Sequence, residues 1–123
     1  MKRDLDLIRK ILQQCEDFER GCAPPTITVD GYTEEQIGFH IYLAGKAGLM
    51  ETEDVTQLGS AVPAALPICL TWQGYEFLEK SRDEGIWSTA KQAAHASGGM
   101  AFDVVKSVLT GLAIAAASKA VGL

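Results

Sequence analysis

Apolar residues at Leu5, Ile8, Leu12 and Cys15 recur at spacings of three and four, and Leu7, Ile11 and Phe18 widen the stripe. This pattern predicts an amphipathic helix from about Arg3 to Glu19. Gly21 stops it, and Pro24 and Pro25 prevent a restart. The β-branched run from Thr26 to Val29 predicts a short strand, with a turn at Asp30 and Gly31. Thr33 and Gln36 have capping-box spacing, and Glu34 and Glu35 suit the positive end of a helix dipole. That second helix continues through Ile37, Ile41 and Ala44 to about Ala47, and Gly48 turns the chain out of it.

Leu49 and Met50 open a strand, and the uncharged stretch 57–67, with Gly59, Pro63 and Pro67, predicts the tip of a β-hairpin. ICLTW at 68–72 is the returning strand. Gly74 opens a helical pattern in which Tyr75, Phe77, Leu78, Ile86 and Trp87 are the apolar positions, bending at Gly85 and ending near Ala96. Ser97, Gly98 and Gly99 break it, and a last helix from about Ala101 places Val105, Val108, Leu112 and Ala116 on one side. A helix followed by a two-stranded wing predicts an α+β, winged helix-turn-helix-like domain, trimmed because residues 20–33 leave little room for the usual extra helix. The expected organisation is a domain over 1–96, a linker at 97–100 and an apolar helix over 101–123.

Charge changes what such a plan can do. The chain has 123 residues, with 11 Lys and Arg against 16 Asp and Glu, for a net charge of -5. Residues 21–79 hold eight acids (Asp30, Glu34, Glu35, Glu51, Glu53, Asp54, Glu76 and Glu79) and a single base, Lys46. Phosphate contacts supply most non-specific affinity for nucleic acid, so this face would repel DNA. A basic cluster at Lys2, Arg3, Arg9 and Lys10 is interleaved with Asp4 and Asp6 and reads first as a solvated helix surface. The charged N-terminus has no signal-peptide core, and the uncharged stretch from Ser107 to Ser118 is shorter than the roughly 20 residues of a bilayer span. A cytoplasmic chain is the expectation.

Three blocks, MKRDLDLIRKIL at 1–12, GYTEEQIGFHIYLAGKAGLM at 31–50 and LTWQGYEFLEKSRDEGIWSTAK at 70–91, resemble a group of bacterial and phage-borne proteins known as a domain of unknown function. The resemblance covers about residues 1–100. It implies a winged-helix-like fold and frequent carriage on phages or prophages, and it implies no activity, cofactor or catalytic residue.

The residues themselves point the same way. His40 and His95 lack partners at metal-ligand spacing, and the serines and cysteines lack a nucleophile context, so no enzyme, metal or cofactor is expected. Cys15 and Cys69 lie in apolar runs and are expected to be buried thiols, with Cys22 more exposed. Trp72, Tyr75, Phe77 and Trp87 are expected mainly as core, with Trp87 the candidate for an interface, rimmed by Glu79, Arg82, Asp83 and Glu84. Glu34, Glu35, Glu51, Glu53 and Asp54 form the candidate contact surface for a basic protein partner.

The last helix, apolar nearly all round, needs cover from its own domain, a second copy or a membrane. The frequency of symmetric dimers favours a homodimer through Val105, Val108, Leu112 and Ala116, and the scarcity of Lys and Arg argues against the membrane. The expected function is a non-catalytic module binding a regulatory or nucleic-acid-binding protein. The alternative is a dimeric winged-helix DNA-binding regulator that brings together two basic N-terminal patches.

Overall fold

The computed structural model describes residues 1–96 and 101–122 and is α+β, with five helices and a two-stranded antiparallel sheet among the described residues. The order is α1 (Leu5–Asp17), α2 (Glu34–Lys46), β1 (Met50–Asp54), β2 (Ala65–Leu70), α3 (Trp72–Ser81), α4 (Glu84–Ala96) and α5 (Phe102–Ala120). The chain divides into two compact units, Met1–Leu78 and Glu79–Leu123. The expected linker at 97–100 lies outside the described residues.

In the first unit, helix ends follow their local chemistry. Asp4 caps α1 by accepting the Leu7 N–H at 3.1 Å. Thr33 and Gln36 make the full capping box on α2: the Thr33 hydroxyl accepts the Gln36 N–H, and the Gln36 side chain accepts the Thr33 N–H. At the other end Gly48, with φ +76, donates to Gly45 O while Leu49 donates to Ala44 O, the double hydrogen bond of a Schellman motif. Leu5, Leu7, Ile8, Ile11, Leu12 and Cys15 of α1 are buried, as are Ile37, Ile41 and Ala44 of α2. Burying such a Leu or Ile stabilises by roughly 1.5–3 kcal/mol relative to leaving it in water.

The hairpin pairs Met50 with Leu70, Glu51 with Cys69, Thr52 with Pro67, Glu53 with Leu66 and Asp54 with Ala65, and a bulge falls between Glu51 and Thr52. β2 begins at Ala65, earlier than the sequence pattern suggests, and contains Pro67, which the sequence reading places in the loop. The bulge lets the ladder pass a residue that has no N–H to give. The expected strand at Thr26–Val29 does not form. Its Ile27 is buried as an anchor, the Gln14 amide of α1 donates to the Thr28 carbonyl, and the Val29 carbonyl accepts the Tyr32 N–H at 3.2 Å, in place of ladder partners.

The turn from β2 into α3 is tight. Thr71 donates its N–H to Leu49 O at 3.1 Å, its hydroxyl bonds Gly48 O, and the same hydroxyl accepts the Gly74 N–H at 3.1 Å. A Cβ on Gly74 would run into the Leu49 carbonyl oxygen, so glycine sets how closely α3 approaches that loop.

The expected continuous helix with a bend at Gly85 is two helices, α3 and α4. Asp83 separates them: its carboxylate accepts the Ile86 N–H at 2.9 Å and its carbonyl accepts the Trp87 N–H at 2.9 Å. This capping side chain starts α4 afresh two residues after α3 ends at Ser81, and Gly85 lies in the first turn of α4. α4 and α5 pack on each other, with Ala90, Ala94, Val105 and Leu109 all fully enclosed. Lys80 donates to Thr110 Oγ1 at 3.3 Å.

Candidate protein-interaction face

The outward side of the hairpin follows from its register. Met50 and Leu70 are buried together, so the next pair, Glu51 with Cys69, faces away from the core, and so does Glu53 with Leu66. Leu66 is 51% exposed, and Ile68, displaced by the bulge, is 47% exposed. Two carboxylates on β1 therefore stand beside an apolar strip on β2. Sequence reasoning places Glu51 and Glu53 here but misses Leu66 and Ile68. The signal for them is the alternation from Ala65 to Leu70, which becomes readable once β2 starts at Ala65.

Asp54 is exposed, but its carboxylate is engaged locally. It accepts the Thr56 N–H at 2.9 Å, and hydrogen bonds to the Thr56 side chain and backbone hold its carboxyl below the usual range, with Lys46 lowering it further. Val55 closes the loop by donating to Ala64 O at 2.9 Å. Glu34 and Glu35 are exposed in the first turn of α2. Gly45 packs against Thr52 and Gly38 against Ala64, so the hairpin runs back along α2. This brings the α2 N-terminal turn and the Asp54 end of β1 to the same end of the unit.

Two aromatic expectations change. Trp87 is only 2% exposed and lies on the buried stripe with Ala90 and Ala94, so its indole is not offered to a partner. Trp72 is 76% exposed and Tyr75 40% exposed in the first turn of α3, while Phe77 and Leu78 further along the same helix are buried. In α5, Val105 is enclosed, Val108 and Leu112 are half-buried and Ala116 is exposed. The buried line of α5 runs through Val105 and Leu109, so Val105 serves the unit's own packing. Ile114 and Val121 remain 63% and 71% exposed. Among the described residues no helix is long and apolar enough to cross a membrane.

The basic cluster is also thinned: Arg9 is 4% exposed, leaving Lys2, Arg3 and Lys10 at the surface. His40 is buried and structural, with Nδ1 2.7 Å from Gln36 O and Nε2 accepting the Asp4 N–H at 2.9 Å. Tyr32 donates to Asp4 Oδ2 at 2.7 Å, and this bond, burial and the charges of Asp4 and Asp6 push its hydroxyl up to about 12. Burial, then Cys69, pushes the Cys15 thiol up to about 11. Among the described residues no group of three or more His, Cys, Asp or Glu is placed to hold a metal ion.

Comparison with known proteins gives a family and no activity. An uncharacterised protein of Haemophilus influenzae is 33% identical over 112 residues, covering 88% of this chain and 92% of that protein. No solved structure matches the chain. The family described as "Hypothetical protein (DUF2513)" matches residues 2–101, most of the chain, and this protein belongs to that family.

Proposed function

We propose that the chain is a non-catalytic, phage- or prophage-derived module of winged-helix-like plan that captures a basic regulatory or nucleic-acid-binding protein. The observation that carries this reading is the outer hairpin face, where Glu51 and Glu53 flank exposed Leu66 and Ile68. Interfaces combine an apolar centre with a charged surround that steers the partner in, and this face has both parts with acidic sign. Glu34 and Glu35 extend the same negative field from the α2 N-terminus. The exposed Ala116, Ile114 and Val121 end of α5 supports self-association of the module as a homodimer.

The rival reading, a dimeric winged-helix regulator of transcription, relies on exposed Lys2, Arg3 and Lys10 to meet phosphate. One set of experiments separates the two. The immobilised full chain is used to capture proteins from a bacterial lysate. The purified captured protein is then titrated against wild type, Glu34→Lys/Glu35→Lys and Glu51→Lys/Glu53→Lys. A basic captured protein whose affinity falls roughly tenfold or more with each charge reversal supports the proposal. Unchanged affinity overturns it. Salt-sensitive binding of mixed-sequence duplex DNA by the wild-type chain, followed by fluorescence anisotropy, favours the regulator.

A further inference from the structure

The unit of residues 1–78 holds three cysteines: Cys15 on α1, Cys22 in the loop after it and, distant in sequence, Cys69 on β2. The Ala23 N–H donates to Ile68 O at 2.8 Å, outside the β1–β2 ladder. Cys22 and Cys69 are therefore the next residues along from the two ends of one hydrogen bond. That single bond joins the two backbones beside both cysteines, and Cys22 lies near enough to act electrostatically on the Cys69 thiol. A disulfide spans about 4.4–6.8 Å.

The three thiols differ in a useful way. Cys22 is exposed, Cys69 partly so and Cys15 buried. Cys69 Sγ donates to Glu51 Oε2 at 3.7 Å. Burial, the Glu51 carboxylate and Cys22 all raise the Cys69 thiol, which keeps it protonated at rest. Cys15 is held protonated more strongly, by burial and by Cys69. Cys22, the exposed one of the three, is the thiol that a dissolved disulfide reaches first.

We propose that Cys22 and Cys69 form a reversible disulfide pair that closes by exchange with a low-molecular-weight disulfide such as oxidised glutathione, Cys22 attacking and Cys69 resolving. In the first step the Cys22 thiolate attacks one glutathione sulfur, the glutathione S–S bond breaks and one glutathione thiolate leaves. In the second, Cys69 loses its proton to solvent and attacks Cys22 Sγ, and the second glutathione leaves. Two protein thiols are oxidised and one glutathione disulfide is reduced to two thiols. The new bond staples the loop after α1 to the free side of β2. This chemistry needs no partner protein and stands apart from the reading of the acidic face.

The reduced full chain is incubated with oxidised glutathione, free thiols are trapped by alkylation, and intact and digested masses are read. The expected product is a chain that has lost two hydrogens, with a cross-linked peptide joining Cys22 to Cys69 and Cys15 still alkylatable after denaturation. Cys15→Ser should close as wild type does, Cys69→Ser should stop at one glutathione on Cys22, and Cys22→Ser should form no cross-link. Glu51→Gln should hasten the second step by about threefold for every tenfold gain in Cys69 thiolate, because nucleophilicity falls more slowly than the thiolate population rises. A stable glutathione adduct on wild-type Cys22 without closure, a Cys15–Cys69 cross-link, or no reaction overturns the proposal.

Discussion

His40 Nε2 accepts the backbone N–H of Asp4 at 2.9 Å, and through this bond the middle of α2 holds the start of α1. The other ring nitrogen lies 2.7 Å from Gln36 O, one turn back on α2. A carbonyl can only accept, so Nδ1 carries the proton and Nε2 is left free to receive Asp4. The imidazole is 2% exposed and both nitrogens are in use. Replacement by Leu would leave the Asp4 N–H without this partner, at a cost of about 1–3 kcal/mol. Urea denaturation of His40→Leu should show a clearly lowered midpoint, and an unchanged midpoint would refute the role.

Asp4 also receives the Tyr32 hydroxyl, which sets a pH dependence. The Tyr32 hydroxyl titrates at about 12 in the folded protein against 10 in its ordinary state, so folding favours its protonated form. Its contribution is fully present below pH 10 and is lost as pH rises through about 12. Stability followed across that window should fall less steeply in Tyr32→Phe than in wild type. Parallel curves would show that the bond to Asp4 has no such effect.

Gly74 and Gly111 make a matched pair of helical glycines with opposite expectations. A Cβ at Gly74 strikes the Leu49 carbonyl oxygen, a backbone atom that cannot swing aside, whereas a Cβ at Gly111 meets nothing within 4 Å. Gly74→Ala should cost about 3 kcal/mol or more, at the high end for single substitutions. Gly111→Ala in α5 should stabilise by roughly 0.5–1 kcal/mol through helix propensity. Thermal unfolding of both variants tests this, and equal shifts would contradict the close approach of α3 to Leu49.

Loss of the Thr33 hydroxyl removes the cap of α2. Thr33→Ala should cost about 1 kcal/mol, and Thr33→Ser should restore most of it. The same variants bear on the acidic face, since fraying of the first turn would loosen the backbone that carries Glu34 and Glu35. Amide hydrogen exchange at Gln36 and Ile37 should quicken in Thr33→Ala alone.

Features whose cause lies within a few residues are legible in the sequence alone. The capping box at Thr33 and Gln36, the left-handed Gly48 and the buried stripe of α1 each follow from a local pattern, because a cap or a helical face is closed by neighbours three or four positions away. The acidic residues of β1 and the α2 N-terminus are legible for the same reason: charge favours solvent unless a distant group takes it.

Distant cover decided the rest. The β-branched run at Thr26–Val29 has strand propensity but is not paired in a ladder, and Gln14 satisfies the Thr28 carbonyl instead. Trp72 and Trp87 are alike as residues, yet one is open to solvent and the other enclosed. Arg9 looks like a surface base by type and is buried by its place on the inner side of α1. In α5 the apolar residues surround the helix, so periodicity selects no direction, and packing with α4 accompanies the burial of Val105 and Leu109 while Ala116 stays exposed. Nothing local foretells that Cys22 and Cys69 flank one backbone hydrogen bond. Local sequence determined where helices begin and end and where charge gathers, while the tertiary fold decided which side chains are covered, because cover comes from segments that no short window contains.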